Sequence, residues 1–177
     1  MIDAPEERPD RHRVFFALWP DDATRAAISR ATREAVRLSG GRPIAKERLH
    51  ITVAFLGELT AAGLDVARAV PPISVGAFEL ELDAVGVWPE SKILWLAATA
   101  LPDALVELEK RLWDSLLERG FRGEDREYRP HMTLARRARA VEASVEAVRF
   151  PVRDLALVES FPDGRNVHYE VLERWPL

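Results

Sequence analysis

Apolar residues recur along this chain with two spacings, and each spacing predicts one kind of secondary structure. Dense or strictly alternating apolar runs predict β-strands, because successive side chains of a strand point to opposite faces. The predicted strands are residues 13–19, 49–56, 78–82, 93–98, 130–135, 155–158 and 167–175. Apolar residues three or four positions apart predict amphipathic helices. The predicted helices are residues 21–38, 60–70, 102–116 and 141–148.

The order of these elements is similar in the two halves of the chain. Each half is predicted to run β-α-β-α-β, and the second half begins near Lys92. Separate strands with two helices per half favour an α+β domain with largely antiparallel sheets, and periodicity leaves the strand order open. The sequence therefore predicts one domain over residues 13–177, made of two pseudo-symmetric lobes, after a flexible N-terminal tail of residues 1–12.

Composition narrows the class of protein. The chain has 177 residues, of which 47% are hydrophobic and 31% charged, and these values exclude wholesale disorder. The longest nearly apolar run, residues 93–101, is about half the ~18 residues that a membrane-spanning helix needs. The first residues carry mixed charge and lack the apolar segment of a secretory signal. We therefore expect a cytoplasmic protein that does not span a membrane.

Residue types limit the chemistry. The absence of Cys excludes thiol nucleophiles, zinc ribbons and iron–sulfur clusters, and leaves His, carboxylate, hydroxyl and Arg chemistry. The net charge of -4 argues against a broad cationic face along a nucleic-acid duplex but permits a local basic pocket. Residues 128–140 contain no acid and four arginines, Arg129, Arg136, Arg137 and Arg139.

Two similar motifs give the strongest functional signal. Residues 50–54 have the sequence HITVA, and residues 131–135, 81 positions later, have HMTLA. On a strand, residues two apart share a face, so each histidine points the same way as the threonine that follows it. If a pseudo-two-fold axis relates the halves, two imidazoles and two hydroxyls converge on one cleft.

Two facing imidazoles suit a reaction in which one proton is removed and another is delivered. An imidazole with a pKa near 6.5 acts as neutral base or charged acid around neutral pH. A phosphodiester is the natural target, because threonine hydroxyls can bind phosphoryl oxygens and arginine supplies fixed positive charge. These residues predict hydrolysis of a phosphodiester.

The paired motifs also carry a resemblance to a known family. LHITVAFLG and RPHMTLAR, with RVFFALWP near the start, ILWL at residues 93–96 and YEVLERWPL at the end, resemble the 2H phosphoesterase superfamily. More closely, they resemble its bacterial and archaeal RNA 2′,3′-cyclic phosphodiesterases, also called 2′-5′ RNA ligases. The resemblance implies a bilobal duplicated fold, with two antiparallel sheets flanked by helices around a central cleft. It further implies hydrolysis of RNA 2′,3′-cyclic phosphate ends to 2′-phosphomonoesters, without metal or cofactor.

The resemblance implies a role for five residues. His50 matches the proton donor to the departing 3′ oxygen, and His131 matches the base that activates water. Thr52 and Thr133 match the hydroxyls that bind the phosphate. Arg136 matches an arginine near the phosphate, although strict alternation places it on the other face of its strand, so the strand must twist or end there.

Three further residues are weaker candidates for substrate contact. Trp19 and Tyr128 lie near strand ends, where an aromatic ring can stack on a base. Arg129 can either guide the substrate or pair with an acidic residue at position 124, 125 or 127. The remaining tryptophans are predicted to be core residues, namely Trp88, Trp95, Trp113 and Trp175.

Other functions remain open on the sequence. A metal hydrolase requires more ligands than two histidines on separate strands, and no His-x-x-x-His or Asp-x-His spacing supplies them. A nucleotide-binding module without turnover does not need both histidines. The ligase direction, acting on tRNA halves, follows from reversibility of the same reaction. No protein partner is implied, and we expect a monomer.

Overall fold

The computed structural model describes residues 11–123, 127–163 and 166–177. The strands are β1 (His12–Leu18), β2 (Arg42–Pro43), β3 (Ile51–Leu59), β4 (Phe78–Leu82), β5 (Ala84–Trp88), β6 (Ile93–Ala97), β7 (Met132–Arg136), β8 (Val148–Val152), β9 (Asp154–Asp163) and β10 (Asn166–Pro176). The helices are α1 (Asp22–Ala31), α2 (Arg33–Ser39), α3 (Ala61–Arg68) and α4 (Asp103–Glu118). Within these residues, no helix has the length and apolar character needed to cross a membrane.

The strands form two antiparallel sheets, which confirms the predicted α+β class. The large sheet has the order β10-β9-β1-β3-β7-β6-β5, with β2 also paired to β7, and the small sheet is β4-β8. At the centre, β3 and β7 share the single pair Ile51 and Met132. The β3 side of the large sheet comes from both ends of the chain, as β1, β3, β9 and β10, and the β7 side consists of β5, β6, β7 and the short β2. The two sides meet at the two motif strands.

The main core lies on one face of this sheet. Alternate residues of β1, Val14, Phe16 and Leu18, are fully buried there. The helix α4 packs against the same core through its predicted apolar stripe, in which Leu105, Leu108, Leu112 and Leu116 are all fully buried. Burying one face of the sheet under helices leaves the opposite face of β1, β3 and β7 for the cleft.

The first predicted helix is two helices in the structure. Asp21 caps α1, since its carboxylate accepts a hydrogen bond of 2.7 Å from the backbone N–H of Thr24. Thr32 separates α1 from α2, and its hydroxyl donates to the carbonyl of Ile28 at 2.8 Å. Such side-chain bonding competes with regular helix geometry. Gly40, in the left-handed region with φ 59°, ends α2.

Some predicted boundaries and elements are wrong. Residues 141–148 are not helical, and Val148 begins β8 instead. An eight-residue segment with three valines has a weak helical tendency of its own, so tertiary packing decides its conformation. The strands β2, β5 and β8 are additional to the prediction. His12, assigned to the tail, is the first residue of β1, where its Nδ1 lies 2.7 Å from Glu159.

Candidate active site

The two His-x-Thr motifs meet at the centre of the large sheet. Ile51 and Met132, the middle residues of the motifs, form the pair that joins β3 to β7, and both are buried. Because adjacent strand residues point to opposite faces, the histidine and threonine beside each middle residue lie on the face away from the core. The two motifs therefore share one face of the sheet.

The motifs face each other in crossed pairs. Since β3 and β7 are antiparallel, one step in either direction from the joining pair sets His50 beside Thr133 and Thr52 beside His131. Residues opposite each other on antiparallel strands have Cβ atoms about 5 Å apart. A group bound between the strands can therefore contact the histidine of one motif and the threonine of the other.

A β-bulge interrupts each motif strand at the corresponding position. The register skips Val53 where β3 pairs with β1, and it skips Leu134 where β7 pairs with β6. An extra residue shifts the alternation by one, so the second residue after each bulge returns to the face of the threonines. On β7 this residue is Arg136, and on β3 it is Phe55. Both line the cleft, and the bulge is the reason that strict alternation is wrong for Arg136.

The two imidazoles are oriented in the same way. His50 Nδ1 lies 2.7 Å from the carbonyl oxygen of Arg48, and His131 Nδ1 lies 2.8 Å from the carbonyl oxygen of Arg129. A carbonyl only accepts hydrogen bonds, so each Nδ1 carries the proton. In both residues Nε2 is then the nitrogen that gains or loses a proton.

Aromatic rings surround His50. The ring of Trp19 is stacked on the imidazole, with 5.4 Å between ring centroids and an interplanar angle of 21°. Phe15 lies 4.9 Å away, and Tyr169 makes an edge contact at 5.2 Å. These contacts restrict the ring and shield part of it from water.

His131 has its own aromatic neighbour. The ring of Trp88 meets it edge-on at 4.4 Å between centroids. Trp88 in turn contacts Trp95, which lies so close to Gly86 that an added Cβ would be 2.3 Å from the indole. Trp88 was predicted as a core residue, but its contact with His131 makes it part of the site.

The protonation of His50 is strongly shifted. Burial is the main cause, and it lowers the pKa of His50 to about 4, because a charged imidazole loses its hydration there. The positive charges of His131, Arg25 and Arg136 act in the same direction, while the hydrogen bond to the Arg48 carbonyl opposes them. In the free protein at pH 7, the His50 imidazole is therefore neutral and its Nε2 can accept a proton.

The cleft beside the motifs has a volume of about 220 Å³. Its lining includes His50, Thr52, Thr133, Arg136, Arg13, Arg48, Phe15, Phe55 and Tyr169. The Cζ atom of Arg13 lies 4.9 Å from the centre of the Phe55 ring. None of the described residues that line the cleft is acidic. Its charge and its aromatic rings thus favour an anion joined to a flat ring system.

All three weaker candidates lie outside this lining, and Trp19 stacks on His50. Tyr128 packs against the core, its hydroxyl donates to the carbonyl of Thr52 at 3.2 Å, and burial raises the pKa of Tyr128 far above its usual range. The Arg129 side chain pairs with Glu127 at 3.2 Å, and its carbonyl accepts the hydrogen bond from His131. Positions 124 and 125, the other predicted acidic partners of Arg129, are outside the described residues. Tyr128 and Arg129 thus contact the backbone or the histidine of a motif and do not face the cleft.

Sequence reasoning missed several residues of the cleft. Arg13 and Phe15 could have been found, because they alternate with buried residues on β1 and so share a face with Trp19. Arg48 and Phe55 have no such signal in the sequence. Arg48 reaches the cleft from the turn before β3, and Phe55 faces the cleft because of the bulge at Val53. Among residues 11–123, 127–163 and 166–177, no group of three or more potential metal ligands is close enough together to hold an ion.

Comparison with known proteins gives consistent matches. Residues 20–161 match the family model described as the 2′-5′ RNA ligase superfamily. The RNA 2′,3′-cyclic phosphodiesterase of Escherichia coli K12 is 33% identical, covering 93% of this chain and 96% of the relative. The enzyme of the same name from Methanocaldococcus jannaschii is 27% identical, covering 92% and 99%. The crystal structure of E. coli LigT with 3′-AMP superposes with a TM-score of 0.83 at 28% identity, covering 95% of this chain and 99% of LigT.

Proposed function

This chain belongs to the 2′-5′ RNA ligase superfamily, and from that premise we propose that it hydrolyses RNA 2′,3′-cyclic phosphate ends to 2′-phosphomonoesters. The observation that carries the proposal is the crossed arrangement of two histidines and two threonines at the β3–β7 junction. The names of the E. coli and M. jannaschii relatives support the same substrate.

In the proposed reaction, His131 Nε2 accepts a proton from water, and the water oxygen forms a bond to phosphorus. The bond between phosphorus and the 3′ oxygen breaks, and His50 Nε2 delivers a proton to that oxygen. The 2′ oxygen keeps the phosphate. Thr52, Thr133 and Arg136 stabilise the charge that develops on the phosphoryl oxygens.

The asymmetry of the cleft supports this assignment of donor and base. Phe55 occupies on β3 the place that Arg136 occupies on β7, and Phe15 and Tyr169 lie beside His50. The aromatic side suits the nucleoside, which carries the departing 3′ oxygen. Because water attacks phosphorus opposite to the leaving oxygen, it enters from the side of His131.

A proton donor must carry a proton when the bond breaks. In the free cleft, burial and neighbouring cations keep His50 neutral, with a pKa lowered to about 4. A bound phosphodiester anion supplies the opposite charge and raises this pKa. We therefore propose that His50 takes up its proton when the substrate binds, so that its imidazole is charged only in the complex.

The decisive experiment uses a short oligoribonucleotide with a 2′,3′-cyclic phosphate end, in buffer with EDTA. The expected product is a 2′-phosphomonoester, which is distinguished from a 3′-phosphomonoester by chromatography against standards or by ³¹P NMR. Absence of turnover contradicts the proposed hydrolase. A 3′-phosphate product contradicts the leaving group, and activity that requires an added metal contradicts the metal-independent reaction.

Ligation of tRNA halves is the second candidate, because the matched family model is described as a 2′-5′ RNA ligase. It uses the same groups with an RNA hydroxyl in place of water as the nucleophile: this hydroxyl bonds to phosphorus and the 3′ oxygen leaves, so water and the RNA hydroxyl compete for phosphorus. We expect hydrolysis to dominate in the same assay, with joined RNA as a minor product.

A non-catalytic nucleotide-binding module is contradicted by any turnover that depends on both histidines. A cytoplasmic location and a monomeric state stay predictions of the sequence.

A further inference from the structure

One buried side chain beside the site has no role in the proposed reaction. Arg25, in the first turns of α1, has only 11% of its side chain exposed. Its Nε and Nη2 atoms are buried and have no hydrogen-bond partner among the described residues. Its Nη1 lies 3.4 Å from a carboxylate oxygen of Asp22, whose side chain is fully exposed. Burying a guanidinium with two unsatisfied nitrogens costs free energy, so its position calls for a functional explanation.

The guanidinium lies against the ring that supports His50. Its Cζ atom is 5.3 Å from the centre of the Trp19 ring, and the same ring is stacked on the imidazole. The turn from β1 to α1 produces this arrangement, because Asp21 caps the helix two residues after Trp19. The contacts therefore run without a gap from α1 through the indole to the imidazole.

We propose that Arg25 is a positioning residue for His50: its guanidinium holds the Trp19 ring against the imidazole and places a fixed positive charge behind it. This inference rests on the proposed role of His50 in proton transfer. A nearby cation disfavours the charged imidazole, and Arg25 is one of the groups that lower the pKa of His50. The fixed charge thus keeps the His50 imidazole neutral until an anionic substrate binds.

The other groups around the imidazole differ from Arg25 in position. The charged or titratable groups that face it from other elements are His131, Arg136, Arg13, Arg48 and Tyr169. Arg13, Arg48 and Arg136 line the cleft, where a bound phosphate offsets their charge, and His131 lies on the same face of the sheet. Neither Arg25 nor Trp19 lines the cleft. The charge of Arg25 therefore persists while substrate is bound, and it favours release of the proton to the leaving oxygen.

The test measures the His50 pKa directly, by NMR titration of its imidazole in Arg25→Met. Removal of the charge is expected to raise this pKa by about 0.5–1 unit. The limb of the kcat/KM pH profile that reports His50 should move to higher pH by the same amount. Arg30→Met is the matched control, because it removes an exposed arginine from the same helix. It should leave both measurements unchanged.

A second variant separates charge from stacking. Arg25→Lys keeps the charge but loses the planar contact with Trp19, so the His50 pKa should stay near its wild-type value while kcat falls several-fold at unchanged KM. If Arg25→Met lowers only the melting temperature and its His50 titration equals that of Arg30→Met, the proposal is wrong and Arg25 is a packing residue. Arg25→Gln replaces Arg25→Met if the latter does not fold, with the same criteria. The titration needs no turnover, so it remains decisive even if the RNA substrate is not hydrolysed.

Discussion

Two imidazoles carry out the proposed reaction, and each is held by the carbonyl oxygen two residues before it. The carbonyls of Arg48 and Arg129 fix Nδ1 as the protonated nitrogen of His50 and His131. Aromatic contacts then restrict both rings. The same backbone hydrogen bond thus orients the histidine of each motif.

Loss of either imidazole should abolish most of the activity. We expect His50→Gln and His131→Gln each to lower kcat by about 10²- to 10⁴-fold, the usual effect of losing a general acid or base. Single-turnover assays with the cyclic-ended RNA measure this. His168→Gln, an exposed residue on β10, is the control and should keep the wild-type rate. A near wild-type rate in either motif variant would remove that histidine from the mechanism.

At the scale of elements, the β-bulges decide which side chains reach the cleft. The bulge at Leu134 turns Arg136 toward the threonines, and the bulge at Val53 turns Phe55 the same way. A bulge at the corresponding position thus brings a cation to the cleft from β7 and an aromatic ring from β3. The cleft therefore has two chemically different sides.

The bulge predicts different roles for two neighbouring arginines. Arg136→Met should lower kcat/KM by about 10- to 100-fold, because it removes a charged hydrogen-bond donor from the phosphate. Arg137→Met, at the next position outside the cleft lining, should change kcat/KM less than twofold. Steady-state kinetics on both variants measure the difference. Equal effects would show that general positive charge attracts the RNA and that no specific contact forms.

The buried stripe of α4 makes a separate prediction about stability. Leu108→Ala should lower the free energy of unfolding by about 2–5 kcal/mol, since Leu108 is fully buried. Val106→Ala, on the exposed face with 51% of the residue accessible, should change it by less than about 0.5 kcal/mol. Urea denaturation measures both. Similar losses for the two variants would contradict the packing of α4 against the sheet.

At the scale of the whole molecule, strands from both halves of the chain contribute to each side of the large sheet. Three helices precede β4, whereas the second half has only α4 among its described residues. The symmetry is kept at the β3–β7 junction, where both motifs are needed, and it is lost at the periphery. The similarity of the two halves is therefore clearest in the paired motifs.

Stability of the molecule should depend on pH through His50. Its pKa is about 4 in the folded chain and near 6.5 when unfolded. The unfolded state therefore binds the proton more readily, so stability is fully present above about pH 6.5 and is lost as pH falls toward 4. Urea unfolding between pH 7 and 4 should show a smaller loss for His50→Gln than for wild type, by about 1–3 kcal/mol. Parallel curves would contradict the lowered pKa of His50.

Many of the strands, helices and site residues could be predicted from the local sequence pattern. The predictions that were wrong have identifiable physical causes. The strand of HITVA and the leucine stripe of α4 have strong periodicity, and both are confirmed. The segment 141–148 has helical spacing, but pairing of β8 with β4 gives Val148 a more favourable partner. Trp88 was assigned to the core because an aromatic residue is usually buried, and only its partner His131 distinguishes the two cases.

The sequence by itself determined the fold class, the two motifs and the type of residue available for the chemistry, because spacing along a strand already fixes which side chains share a face. Tertiary structure decided the crossed pairing of His50 with Thr133, the orientation of Arg136 and Phe55, and the low pKa of His50. These depend on strand register, on bulges and on burial by residues far away in the chain. Distances between separate strands are set by packing among residues far apart in the chain, and the local sequence of one strand does not specify its neighbour.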